Sequence, residues 1–259
     1  MLTRTVHSVI VLFLFLGTLS AATDPFVGKW KLNQSKSKMT GEQVKIEDLG
    51  GNKFTIAMGD ISDTLVADGT DQPVHFGRTE SITQDGPNTW KVVLKQDGRA
   101  LFTMTWTLSP EGKTMNIATT GTRPDGSTFS EHVATRRIAG TSGFAGTWES
   151  TSIKIGSPDE FDIQPYESDG LSFVVPAESD TLNMKFDGKD YSETGPNVAP
   201  GSASSGRRVN EHTLEVTDKV QGDVIDTTQF KVSSDGKTLT LTVHEKGQSK
   251  PLTFVYERE

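Results

Sequence analysis

An internal repeat constrains the fold of this chain most strongly. Residues 26–30 (Phe-Val-Gly-Lys-Trp) recur at 144–148 as Phe-Ala-Gly-Thr-Trp, and residues 62–65 (Ser-Asp-Thr-Leu) recur unchanged at 179–182. Two further matches, one in an Asp-Gly turn and one near the end of each copy, keep the same order. Because four matches in one order are hard to obtain by chance, the chain is predicted to hold two homologous domains.

The repeat also predicts where the domains begin and end. It places the first at 24–138 and the second at 144–259, separated by a short flexible linker at 139–143. Residues 1–22 are interpreted as a secretory signal peptide, because Arg4 precedes a short apolar run that ends in small residues. That run is about half the roughly twenty residues needed to span a bilayer. We expect a secreted or periplasmic protein with no membrane insertion after signal cleavage.

Alternation of apolar and hydroxyl side chains predicts strands. Phe102, Met104, Trp106 and Leu108 alternate with three threonines, which places the four large groups on one strand face. Turn signals recur at roughly ten-residue intervals, and no apolar stripe with helical spacing is present. The chain has 25 glycines and no cysteine, so its cores must be stable without disulfides. The predicted fold is all-β: two tandem antiparallel up-and-down β-barrels with little helix, each with room for about eight to ten strands.

The first strand of each copy carries a Gly-x-Trp motif, at 28–30 and 146–148. These motifs resemble the signature of lipocalins and the wider calycins. The start of the mature chain is similar to secreted lipocalin-like proteins of environmental bacteria, most of them uncharacterised. The resemblance implies that the tryptophan closes the barrel bottom and that a late arginine lies across it, a place that Arg137 (or its neighbour Arg136) and Arg258 could take. It implies no catalytic residues.

Motifs for catalysis and metal binding fail when tested. None of the four histidines of the mature chain stands in a metal-ligand spacing, and the sequence has no Gly-x-Ser-x-Gly elbow, phosphate loop or dinucleotide fingerprint. The turns at 68–71 and 187–190 offer two aspartates each, too few for a tight calcium site, and are interpreted as ordinary Asp-Gly turns. We therefore expect no enzyme, no metal and no cofactor.

Charge separates the two copies. Residues 24–139 carry fourteen basic and fourteen acidic side chains, whereas residues 140–259 carry eleven and twenty, a net charge of −9. Nucleic acids and anionic membranes need a basic surface, so both are excluded as expected partners. The Gly-, Pro- and Ser-rich stretch at 195–206 is interpreted as a mobile surface loop. We expect a monomer.

Three functions remain open from the sequence. In the first, the barrel of the first copy binds a small hydrophobic molecule, because a barrel of about eight strands is just wide enough to hold one or to fill with its own side chains. The predicted ligand-binding residues are Trp30, Trp90, Phe102, Met104, Trp106 and Arg137. Trp30 and Arg137 are expected to close the bottom together. The second function is an extracytoplasmic protein-interaction or inhibitor module with filled barrels. The third is an enzyme, which a buried, isolated carboxylate such as Asp226 in a pocket would indicate.

Overall fold

The computed structural model describes residues 24–140, 142–156 and 160–259, so the predicted signal peptide lies outside the described residues. Within these ranges the chain forms twenty β-strands and no α-helix. A single-turn 3₁₀ segment occurs at Gln34–Lys36, and a tight turn in which Phe76 has positive φ (+65°) occurs at His75–Gly77. No helix in this part of the chain is long and apolar enough to cross a bilayer. The prediction of an all-β protein with two antiparallel barrels is confirmed.

The first barrel is one continuous stretch of chain. Its ten strands are β2 (Gln43–Gly50), β3 (Lys53–Met58), β4 (Ile61–Val66), β5 (Gln72–Val74), β6 (Arg78–Gln84), β7 (Thr89–Gln96), β8 (Arg99–Leu108), β9 (Thr114–Thr122), β10 (Thr128–Ala139) and β11 (Gly146–Ile155). They lie in the order β4-β3-β2-β11-β10-β9-β8-β7-β6-β5. A side chain bridges the two edges: the amide of Gln72 accepts from Val66 N at 2.8 Å and donates to Val66 O at 2.7 Å.

The second barrel is closed by hydrogen bonds all the way round. Its strands are β1 (Gly28–Leu32), β12 (Glu160–Tyr166), β13 (Gly170–Val175), β14 (Asp180–Lys185), β15 (Asp187–Thr194), β16 (Ser202–Asn210), β17 (Thr213–Val220), β18 (Asp223–Val232), β19 (Thr238–Glu245) and β20 (Leu252–Arg258). Strand β1 fills the place between β12 and β20, with Trp30 opposite Phe161 on one side and opposite Arg258 on the other.

The two repeats have therefore exchanged their first strands. Strand β1, at the start of the first repeat, lies in the second barrel, whereas its counterpart β11 lies between β10 and β2 in the first. The ranges 24–138 and 144–259 thus mark the repeats, but each barrel takes its first strand from the other range. The physical reason is the path of the connector at 33–42, which follows β20: Lys38 pairs with Thr253, and Asn33 N donates to Val255 O at 2.8 Å.

Each barrel has a separate apolar core built on the repeated motif. The Trp30 Nε1 donates to Phe26 O at 2.9 Å, and the Trp148 Nε1 donates to Phe144 O at the same distance. All four side chains are buried. The motif therefore forms the same local structure in both copies, with each tryptophan hydrogen-bonded to the chain just before its own strand.

The turns at the ends opposite the motif tryptophans bring the two barrels together. A Cβ at Gly59 would lie 2.2 Å from the Lys246 carbonyl oxygen, and one at Gly247 would lie 2.4 Å from Asp60 N. Both glycines also have positive φ, +56° and +79°, so glycine is required here on two grounds. The open ends of the barrels consequently face each other.

The stretch at 195–206 takes part in this junction, which corrects its interpretation as a mobile surface loop. Its last residues belong to β16. Its first residues accept hydrogen bonds from the first barrel: Arg99 donates to Pro196 O at 3.0 Å, Arg78 to Asn197 O at 2.9 Å and Gln96 to Val198 O at 3.1 Å. Three long polar side chains of the first barrel thus hold the backbone carbonyl groups of this segment, whose own side chains are small.

Candidate functional site

An arginine closes the far end of each barrel. The Arg258 guanidinium lies 4.2 Å from the Trp30 ring centre, and that of Arg137 lies 4.1 Å from the Trp148 ring centre. Arg258 also donates to the carbonyl oxygens of Pro25 and Val27, at 2.6 and 2.5 Å. The expected pair of Trp30 with Arg137 is corrected: the strand exchange gives each arginine the tryptophan of the other repeat.

A cavity of about 520 Å³ occupies the first barrel. It extends from Trp148 toward the second barrel, where Leu252 and Phe254 of β20 complete its wall. Met58, which is 48% exposed, marks where the cavity reaches solvent. Its other apolar wall residues include Val44, Ile56, Met104, Trp106, Ile117 and Ile153. This volume is in the range of pockets that hold small organic molecules.

Two of the six predicted ligand-binding residues, Met104 and Trp106, line this cavity, because alternation along β8 points both inward. Phe102 lines an adjacent cavity of about 450 Å³ at the junction of the barrels. Trp90 lies in the packed core, with its ring stacked on Phe144 at 4.0 Å between ring centres.

The two remaining predicted residues lie at closed ends. Trp30 is fully buried in the core of the second barrel. Arg137 covers Trp148 from outside the cavity and donates to Gly112 O at 2.7 Å. The structure therefore brings Met104 and Trp106 together at the large cavity and places Phe102 next to it.

Four carboxylates lie in the wall of the 520 Å³ cavity, and among its described wall residues none is Lys, Arg or His. They are Glu42, Asp63, Glu80 and Glu131. Burial raises the pKa of Glu80 to about 7, and the nearby charge of Asp63 adds to the effect. Burial also raises the pKa of Glu42, together with its acidic neighbours Glu245 and Glu131. Asp63 accepts from the backbone N of His75 at 3.1 Å.

Sequence reasoning missed these carboxylates, although a signal was present. Glu80 stands two residues before the buried Ile82, and Glu131 stands two residues before Val133 of the cavity wall. Extending the apolar alternation of β6 and β10 by one step places both carboxylates inside the barrel.

A chain of carboxylates continues from this cavity into the second barrel. Glu42 forms a side-chain hydrogen bond with Glu245, which pairs across strands with Asp226. Asp226 in turn pairs across strands with Asp218, in the wall of a second-barrel cavity of about 170 Å³. Burial raises the pKa of both aspartates. The carboxylate chain is defined as the side chains of Glu131, Glu42, Glu245, Asp226 and Asp218.

Asp226 is thus not the isolated carboxylate that would indicate an enzyme. It forms a side-chain hydrogen bond with Asp218 and accepts from the Thr228 hydroxyl at 3.1 Å. Asp218 in addition accepts from the Ser204 hydroxyl at 2.5 Å. Two buried carboxyl groups in such contact share a proton, because both cannot ionise at close range without a large cost.

One polar atom of the cavity wall has no protein partner. Trp106 is only 5% exposed, and its Nε1 finds no hydrogen-bond acceptor among the described residues. A buried indole N–H without an acceptor is costly, so such groups are usually paired. Trp106, a residue of the cavity wall, therefore carries a buried donor that no described residue satisfies.

The described residues contain no group of three or more His, Cys, Asp and Glu side chains that could hold a metal ion. No protein-family model matches the chain, and no curated protein matches it.

Proposed function

We propose that this protein is an exported, non-enzymatic, lipocalin-like binding protein whose first barrel holds one small hydrophobic or amphipathic molecule. The observation that carries the proposal is the cavity of about 520 Å³ within the first barrel, with its largely apolar wall and its opening beside Met58. Pockets of this volume bury most of the surface of a small organic ligand. The signal-like sequence of residues 1–22 supports export.

Two other functions are less well supported. Glu42 of the cavity wall forms a side-chain hydrogen bond with another carboxyl group, that of Glu245, and not with a nucleophile. A protein-interaction module with filled barrels would not need an internal cavity of this size. Among the described residues, the most exposed large apolar side chains are Leu49, at 49%, and Met58, at 48%. Leu49 lies at the end of β2 that joins β3, whereas Met58 lies at the opposite end of β3, so the two side chains do not form one patch.

The test is a titration with N-phenyl-1-naphthylamine, an apolar probe whose emission rises on leaving water. We expect saturable binding at one site per chain. Met104→Trp fills the cavity and is expected to weaken binding at least about tenfold, since overpacked space cannot accept the probe. The matched control Thr105→Trp adds the same ring on the outer face of β8 and leaves affinity unchanged.

Two results would contradict the proposal: no rise in emission with the wild-type protein, or equal affinity of the Met104→Trp and wild-type proteins. Thermal unfolding of each variant checks that it is folded. If Met104→Trp does not fold, Ile117→Phe makes a smaller addition to the same wall and takes its place.

A further inference from the structure

Resting on the proposed function, we infer that the junction between the two barrels controls access to the 520 Å³ cavity and opens as pH rises, because the carboxyl groups of Glu42 and Glu245 meet there. The junction stays closed while this pair holds a proton and loosens when both groups are ionised. The protein would therefore keep its ligand in acidic surroundings and release it in alkaline ones.

The wall of the cavity is built from both barrels. Most of it belongs to the first barrel, but Leu252 and Phe254 belong to β20 of the second. The opening beside Met58 adjoins the turn between β3 and β4, where a Cβ at Gly59 would lie 2.2 Å from the Lys246 carbonyl oxygen. That oxygen belongs to the connection between β19 and β20, residues 246–251. Any movement of this connection away from the first barrel therefore widens the opening.

Hydrogen bonds hold the same connection against the start of β2. Gln43 N donates to Gln248 Oε1 at 3.0 Å, and Gln248 Nε2 donates back to Gln43 O at 3.0 Å. The backbone N of Gln248 also donates to Glu245 O at 3.1 Å. Gln248 thus links Glu245 of the second barrel to the residue that directly follows Glu42, which places the two carboxyl groups at the centre of the junction.

The Glu42–Glu245 pair makes this junction depend on a proton. Two carboxyl groups form a hydrogen bond only while one of them is protonated, and two carboxylates at that distance repel each other. Burial raises the pKa of Glu42, and the charges of Glu245 and Glu131 raise it further. Asp226, which pairs with Glu245 across strands, adds another acidic group. Because separation and hydration relieve the repulsion, rising pH shifts the molecule from the closed junction toward the open one.

Two ion pairs also join the barrels at this place. Lys250 lies 3.0 Å from the Glu149 carboxylate, and Lys246 lies 3.8 Å from that of Asp60. Both join oppositely charged groups and so hold the connection in place. The Glu42–Glu245 pair differs from them, because it changes from attraction to repulsion when it loses its proton.

The experiment measures the release of N-phenyl-1-naphthylamine, a probe that stays neutral over this range, by stopped-flow dilution at pH 5.5 and pH 8.5. We expect the dissociation rate of the wild-type protein to rise about tenfold between these values, the factor that corresponds to a difference of about one pKa unit between the closed and open junction. Glu42→Gln can keep the hydrogen bond, because its amide donates to the Glu245 carboxylate without a titrating proton. Its release should stay slow at both pH values.

Glu80→Gln is the matched control. It removes a carboxyl group from β6 in the same cavity wall, where burial raises its pKa and its charged neighbour is Asp63. This variant should keep the wild-type dependence of release on pH. Hydrogen–deuterium exchange of the free protein gives a second readout. After correction for the intrinsic rate, exchange at 246–251 should be faster at pH 8.5 than at pH 5.5 in the wild type and equal at both in Glu42→Gln.

The outcomes separate the two proposals. A wild-type release rate that does not change with pH, or faster release from Glu42→Gln at pH 8.5, would overturn the inference and leave the binding function standing. Loss of the pH dependence in Glu80→Gln would assign the effect to the cavity wall and also overturn it. If the probe does not bind, the proposed function fails, whereas exchange at 246–251 still decides whether the junction titrates. Should Glu42→Gln not fold, Glu245→Gln makes the same change from the other barrel.

Discussion

The exchange of first strands predicts which part of the molecule each closing arginine stabilises. Arg258 covers Trp30 and donates to three carbonyl groups, those of Pro25, Val27 and Gly236. At about 1 kcal/mol for each partly exposed hydrogen bond and about 1 kcal/mol for the cation–π contact, Arg258→Ala is expected to cost about 3–5 kcal/mol. The loss should fall on the second barrel, since all these partners belong to it.

Hydrogen–deuterium exchange with peptide resolution is the assay. Arg258→Ala should speed exchange at 28–32 and 252–258 and leave the first barrel unchanged. Arg137→Ala should do the reverse, speeding exchange at 146–155. Arg136→Ala is the control, because this side chain is 60% exposed and its ion pair is with the Glu149 carboxylate, at 3.3 Å.

If each barrel instead contained the first strand of its own repeat, Arg137 would cover Trp30, and the opposite result would be expected. If Arg137→Ala speeds exchange at 28–32 while 146–155 stays protected, the strand exchange is refuted. An equal loss of protection in both barrels after either substitution would refute the assignment of each arginine to one barrel.

Two further predictions follow from the cavity and from the chain path. The pKa of Glu80 is about 7 in the folded protein and about 4.5 in the unfolded chain, so its ionisation lowers the free energy of unfolding as pH rises between these values. Glu80→Gln removes this loss. It should raise the free energy of unfolding by about 2–3 kcal/mol at pH 8 and leave it unchanged below pH 4.5. Urea unfolding measures this, and an equal gain for Glu47→Gln would contradict the cause given. Cleavage within 140–143 cuts the β10–β11 connection inside the first barrel, so the fragments should stay together in native gel filtration; separate half-size domains would contradict the topology.

The sequence predicted those features that depend on local pattern. Alternation along β8 places Met104 and Trp106 on the inner face, and both line the cavity. The repeat predicted two barrels, which the structure contains. Alternation could not distinguish Trp90, which lies in the packed core, from Met104 and Trp106, which line the cavity. Strand periodicity gives the face on which a side chain lies and not its depth along the barrel.

The exchange could not be read from the sequence. Both copies carry Phe-x-Gly-x-Trp and a late arginine, so each first strand fits either barrel equally well. The deciding contacts are non-local, such as Lys38 with Thr253. The contact between Glu42 and Glu245 was missed for the same reason: the two side chains meet only because the open ends of the barrels face each other.

The position of β1 has a consequence for the order of folding during synthesis. The first barrel uses residues 43–155 without interruption, so it can close while the rest of the chain is still being made. The second barrel closes only after β20 has been made, because β1 pairs with β12 on one side and with β20 on the other. Contacts between residues so far apart in sequence form slowly, so closure of the second barrel is expected to be the slower of the two folding steps.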